Sequence, residues 1–408
     1  LKPDKAIFAF AMTISMRPAL YFLTFIFLLA LFRDLLANGK PLYCRIDGES
    51  WHPGLRSLWQ SDDIPYGHPI LDSIRLNDLW KSYPYESSLF APIPYSPGEW
   101  SRKLPVSLLK PGALHTGLPA RFRHWLGTDD MGRDVAAALV GGSRIAVYTG
   151  VLAMGVAFLI GILLGSVAGF WGDKRLRIGR IQFFLCLIFL PFAWFWAFQA
   201  PWDDMPWLFR PLFFLIFTST YIYLTGKIPE KKTWYFPADL CIMRLAEVIN
   251  ATPKLILLIA LAAMLGGQSF WLLIIIIGAM SWTGVAVFLR SELLRIRELD
   301  FVTAARAQGM SEMRVLMRHA LPNALRPVAV AFALGAGSAI VLEASLSFLG
   351  MGNMELRGAS WGSLIENVRT NPRAWWLVVP PGLFIGFTIL SLNTLAEYWG
   401  DRRTKNNS

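Results

Sequence analysis

Apolar runs with few or no charges recur along the whole chain, and short basic clusters separate them. Crossing a bilayer takes ~20 apolar residues in a helix, and a charge at mid-depth costs ~2.5–3.5 kcal/mol on insertion scales, so these runs predict spanning helices. They fall at 18–32, extending backward through 6–16, at 145–170, at 181–200 and 207–225, at 248–265 and 270–289, at 328–349 and at 377–395. The pattern predicts an all-α, polytopic membrane helix bundle of about eight transmembrane helices. A re-entrant or interfacial pair at 181–225, around Pro201-Trp-Asp-Asp-Met-Pro206, removes that pair from the count.

The basic clusters set the sidedness. Lys2, Lys5 and Arg17 precede the first run, and Arg33 and Asp34 follow it. No small-x-small cleavage site follows closely, so this run is read as an uncleaved anchor. Lys174, Arg175, Arg177 and Arg180 precede the 181–225 pair, and Lys227, Lys231 and Lys232 follow it. Cytoplasmic loops carry the excess of Lys and Arg, which places both termini and the loop after 289 in the cytoplasm. Segment 38–123 then lies outside, rich in Pro, Tyr and Trp with turns at Pro53-Gly54, Pro97-Gly98 and Pro111-Gly112. It reads equally as a docking surface or lid and as a decoration with no direct role.

Composition agrees with the pattern: of 408 residues, 54% are hydrophobic and 16% charged, with 17 Trp and 28 Phe, and the mean hydropathy is +0.44. These are values of a membrane protein, not of a soluble enzyme. The formal charge of +11 sits largely in membrane-flanking loops, where topology and the anionic lipid bilayer explain it; nucleic acid is rejected as a partner. Cys44, Cys186 and Cys241 fall in different compartments, so no disulfide is expected. His52, His68, His115 and His124 lack metal-ligand spacing and are read as turn and surface residues.

The segment from Asp300 to Pro327 departs from all this, because it is basic and rich in small residues yet lies between two spans. Thr303, Ala304, Ala305 and Ala307 predict a helix of little side-chain bulk, Gly309 its left-handed end, and Ser311 the N-cap of a second helix running through His319 and stopping before Pro322. Two short helices at an angle form a docking surface that a groove on another protein can approach closely.

Ala304-Ala305, Gly309 and His319-Ala-Leu-Pro-Asn323 resemble the "EAA" motif of permease subunits of bacterial ATP-binding-cassette (ABC) importers, with Thr303 where the motif usually begins with glutamate. His124-Trp-Leu-Gly-Thr-Asp-Asp-Met-Gly-Arg-Asp134 with Gly142-Ser-Arg-Ile145, then Glu343-Ala-Ser-Leu-Ser-Phe-Leu-Gly350, then Ser360-Trp-Gly362 with Ala374-Trp-Trp376, resemble the second permease subunit of dipeptide, oligopeptide and nickel importers. The resemblance covers 124–173 and 238–398. It implies a type I ABC importer permease fold, transport of peptides or peptide-like solutes, and location in the bacterial cytoplasmic membrane. The implied partners are cytosolic ABC ATPase subunits, a second permease subunit forming a heterodimer, and an extracytoplasmic substrate-binding protein. Thr303, Ala304, Ala305, Arg306, Gln308, Gly309, Met310, His319, Leu321 and Pro322 become the ATPase-coupling residues, with Arg306, Arg314 and Arg318 available to acidic groove residues. The chain then divides into 1–37, the N-terminal end and first span; 38–123, an extracytoplasmic insertion; 124–398, a permease core interrupted by the extra hairpin 174–237; and 399–408, a cytoplasmic tail.

No cofactor, metal or catalytic constellation is expected. The sequence holds no Gly-x4-Gly-Lys-Ser/Thr phosphate loop, and Leu265-Gly-Gly-Gln-Ser269, which echoes an ATPase signature, falls in an outer turn. Gly161, Gly165 and Gly169 form a close-approach face, read as packing within the subunit. Glu343, near the outer end of its apolar run, is read as structural in preference to a pathway residue. The alternative class, a gradient-driven secondary transporter or channel, calls for paired ionisable groups at mid-depth and repeated broken helices, neither of which is clear here.

Overall fold

The computed structural model describes residues 5–60, 64–99, 107–114, 119–173, 177–179, 189, 209–226, 233–264, 269–351 and 360–406. The turn at 201–206, nearly all of 181–200 and the 265–268 turn lie outside the described residues. In chain order the elements are α1 (Lys5–Leu31), β1 (Tyr43–Ile46), β2 (Glu49–Trp51), α2 (Pro69–Asn77), β3 (Ser87–Leu89) and α3 (Val135–Trp171). After these come β4 (Arg177–Gly179), α4 (Phe209–Gly226), β5 (Thr233–Tyr235), α5 (Ala238–Ala251), α6 (Lys254–Met264) and α7 (Phe270–Ile296). The chain finishes with α8 (Asp300–Ala307), α9 (Glu312–Val315), α10 (Leu321–Leu346), α11 (Trp361–Glu366) and α12 (Val379–Asn406).

Among the described residues, four helices are long and apolar enough to cross a membrane: α3, α7, Pro327–Met351 and Trp375–Gly400. The α5–α6 pair adds a fifth if it is one broken span. Two of the expected spans differ in shape from their apolar runs. The helix expected at 145–170 starts at Val135, because the Asp134 carboxylate accepts the Ala137 N–H at 2.8 Å as an N-cap, and Gly142 to Ile145 lie inside the helix instead of before it. The run 248–265 is not straight: α5 and α6 meet at 93°. Thr252, ahead of Pro253, takes an extended conformation (φ −86°, ψ 132°), as a residue before proline is driven to do.

The bundle is built on α3 and α7, which pack along much of their length. Here the glycine face finds its partner. A β-carbon on Gly161 would stand 2.6 Å from Val285 Cβ, one on Gly165 2.9 Å from the Ala286 carbonyl oxygen, and one on Gly169 2.9 Å from Arg290 Cα. The stripe is therefore an internal seam, as the sequence suggested. The α5 residue Asp239 forms a two-pronged ion pair with Arg290 of α7, while α12 lies against α1 and α10.

Thirty-seven residues of α3 span about 55 Å at 1.5 Å per residue, so its ends define two poles. At the N-terminal pole, the indole N–H of Trp361 donates to the Leu139 carbonyl and that of Trp376 to the Thr128 carbonyl, each at 3.0 Å. The described residues of segment 38–123 pack at this pole with a core of their own: antiparallel β2-β1-β3, with Cys44 opposite Trp51 and Ser88, closes over Ile46, Leu71, Ile74 and Trp80. Tyr95 and Phe122 join it to Ala137 and Val140 of α3. His124, expected at the surface, is 2% exposed; its Nδ1 lies 2.8 Å from Asp134, and Tyr95 stacks on its ring. The correction has a plain cause, since the Asp134 carboxylate that caps α3 needs a second partner when it is buried.

Candidate functional site

At the opposite pole α3 ends against the segment that joins α7 to α10. Helix α8 closes with Met310 N–H donating to the Ala305 carbonyl (3.3 Å) and Gly309 N–H to the Arg306 carbonyl (2.9 Å), the pair of bonds that ends a helix on a left-handed residue. Gly309 has φ +79°, and a β-carbon there would meet nothing within 4 Å, so glycine is required by backbone conformation and not by crowding. Ser311 has the extended backbone of an N-cap before α9, but its side chain makes no capping bond. The helix does not stop before Pro322. A wide turn, Leu316–Ala320, carries α9 directly into α10, with Pro322 in its first turn, where a missing N–H removes no intrahelical bond.

The ten candidate residues separate into two faces. Thr303, Ala304, Gln308, Gly309 and Pro322 are exposed, as are Ala307, Arg314 and Arg318. Ala305 and Leu321 are buried. Ala305 turns inward with Val302, Val315 and Leu316 onto Phe170, Leu289, Leu293 and Ile296, and Met310 packs on the same cluster. The pair Ala304-Ala305, identical in chemistry, is thus divided between surface and core. His319 is half-buried, and its carbonyl accepts the Asn323 amide at 2.7 Å.

Arg306 also differs from its expected role as a free cation. Its Nε and Nη2 donate to the two Glu312 carboxylate oxygens at 3.1 and 3.3 Å, and its Nη1 to the Arg297 carbonyl at 3.3 Å. Arg314 and Arg318 remain on the exposed side. Nothing in sequence spacing marked Arg297 or Phe170 as members of this site; their only signal is position, at the ends of α7 and α3.

Glu343 is buried in α10 and accepts the Ser347 hydroxyl at 2.7 Å, one turn along the same helix. An internal donor of this kind satisfies a buried carboxyl, which supports the structural reading. Nearby, a β-carbon on Gly362 would stand 2.1 Å from the Ala344 carbonyl oxygen, and one on Gly142 2.3 Å from the Trp361 ring. The motif residues Gly142, Trp361 and Gly362 therefore act as a packing unit that closes the pole remote from the loop.

Comparison with known proteins bears on the same segments. Residues 234–404 match the family described as binding-protein-dependent transport system inner membrane component; this stretch contains α5 to α10 and the loop. The inner membrane ABC transporter permease protein YejE of Escherichia coli is 26% identical over 382 residues, covering 93% of this chain and 90% of that protein. The di/tripeptide transport system permease protein DppC of Pseudomonas aeruginosa is 28% identical over 313 residues, 76% of this chain and 80% of that one. A putative peptide transport system permease protein of Brucella suis is 36% identical over 165 residues, 40% of this chain and 55% of its own length.

Proposed function

This chain is a permease subunit of an ABC importer, and from that premise we propose that its solutes are peptides or peptide-like molecules and that the 300–323 segment is where cytosolic ATPases engage it. Relatives that carry the name of peptide or di/tripeptide permeases support the solute class. The observation that carries the coupling reading is the division of the loop: Val302, Ala305, Val315 and Leu316 fix it to the bundle, while Ala304, Ala307 and Gly309 leave an exposed, nearly side-chain-free face. A rigid base with a shallow outer face transmits displacement, whereas a mobile loop would absorb it.

The mechanism is conformational. Closure of two ATPase subunits on ATP displaces the groove that holds Thr303 to Met310, and the loop passes the movement to α7 and α10, which leave it directly, so that outward and inward openings alternate. Surface ion pairs contribute only ~0–1 kcal/mol each, so Arg314 and Arg318 tune the contact and the fit around Ala304 and Gly309 determines it. The full assembly contains a second permease and a substrate-binding protein on the side of segment 38–123, with both termini of this chain in the cytoplasm.

Affinity purification of the tagged chain in mild detergent tests the reading. Co-purification of a second permease and ATP-hydrolysing subunits, weakened by Gly309→Val, is the expected result; a stable chain that retains no ATPase overturns it.

A further inference from the structure

The loop is covalently continuous with α7 and α10 but not with α3, so its movement reaches the C-terminal end of α3 only through non-covalent contacts. The Arg306 guanidinium occupies the place where one is available. It grips Glu312 across the Gly309 turn and the Arg297 carbonyl at the end of α7, and its centre lies 5.5 Å from the Phe170 ring at the end of α3. Arg297 in turn donates to the Gly169 carbonyl at 3.4 Å, across 128 positions of sequence. One planar cation therefore touches α9, the end of α7 and the end of α3.

We propose that Arg306 is the positioning residue through which movement of the docking loop reaches the C-terminal end of α3. The inference rests on the coupling reading above. The guanidinium fork holds its donors in fixed relative directions, so a tilt of α8 against α9 changes the angle presented to Arg297 and Phe170 together. The apolar contacts of Val302 and Ala305 with the same cluster hold the loop in place, but burial of apolar surface is non-directional and does not fix that angle. With Arg306 and Glu312 22% and 42% exposed, their pair contributes little to stability. Its removal leaves the fold intact and exposes the loss of transmission.

The test places spin labels at Gly155→Cys in α3, where a β-carbon meets nothing within 4 Å, and at Leu334→Cys in α10, which is 40% exposed. Native cysteines are replaced by alanine, and pulsed electron paramagnetic resonance reads the label separation in the purified complex before and after trapping with ATP and vanadate. In the wild type the separation shifts. In Arg306→Gln, compared at equal amounts of vanadate-trapped complex, the shift shrinks about two-fold or more, the lower range for a residue on a coupling route. Arg306→Lys, which keeps the charge and loses the fork, falls between them. A wild-type shift in Arg306→Gln overturns the proposal, as does a wild-type complex with no shift. Should Arg306→Gln fail to accumulate in the membrane, Glu312→Gln reads the same link: a reduced shift supports it and a full one overturns it. A wild-type chain that purifies without any ATPase overturns the coupling reading before any variant is compared, which keeps the two failures distinct.

Discussion

Gly165 lies so close to Ala286 that a β-carbon on the glycine would stand 2.9 Å from the Ala286 carbonyl oxygen and 3.0 Å from its Cα. Both contacts are to backbone, so no side-chain rotation relieves them, and the same holds for Gly169 against Arg290. Helices α3 and α7 consequently meet backbone to backbone along this seam.

Gly165→Val is expected to separate the two helices locally and lower stability by about 1–3 kcal/mol, the usual range for forcing volume into a packed interior. Gly155→Val, at a position in α3 with open space at its Cβ, is expected to cost less. Thermal melts of the two variants in detergent provide the comparison, and equal melting temperatures would refute the seam.

At Gly309 the controlling quantity is the φ angle of +79°. Asparagine enters the left-handed region more readily than other non-glycine residues, and β-branched residues do so poorly. Gly309→Asn should therefore retain ATPase binding and transport, whereas Gly309→Val should lose both with normal membrane insertion. Uptake assays on vesicles carrying each variant distinguish this from a steric effect, which would rank the variants by size.

The Asp239–Arg290 pair ties α5 to α7, with Asp239 15% exposed. A hydrogen bond to a charged group is worth ~1.5–3 kcal/mol, so Asp239→Asn and Arg290→Gln should each destabilise the protein by about that amount. The double variant should lose less than the sum of the single losses, as residues in direct contact do. Strict additivity in a double-mutant cycle would show that the two do not interact.

Burial pushes the Cys44 thiol up to about 11, and the thiolate is the reactive form. With Cys186 replaced by alanine, a maleimide at pH 8 should modify the exposed Cys241 and spare the buried Cys44 until the protein is unfolded. The neutral thiol is the form the folded state favours. Its contribution to stability is therefore present below the ordinary thiol range and is lost as pH rises through about 11, a loss that Cys44→Ala should remove from alkaline melting curves.

Much of this was legible in the chain. Hydropathy located α7, α10 and α12, four-residue glycine spacing marked a close-approach face inside the subunit, and Gly309 announced the end of α8. Other features were hidden for identifiable reasons. The 248–265 run reads straight through Asn250-Ala-Thr-Pro-Lys254, although Pro253 and Lys254 mark the 93° bend there. Ala304 and Ala305 have the same side chain, and only the docking of α8 on Phe170 and Leu293 sends one inward. Asp239 and Arg290 are 51 positions apart with nothing local to pair them. His124 looked superficial because nothing in its spacing marks Asp134, ten positions on, as a buried partner.

The two indole bonds that close the remote pole also impose an order on biosynthesis. Leu139 waits for Trp361 across 222 positions and Thr128 for Trp376 across 248. At ~5–20 residues per second, roughly 11–50 s separate the appearance of each carbonyl from that of its donor. During that interval the nascent first half is threaded into the bilayer without its clasp, so the ribosome must pass position 376 before both bonds can close.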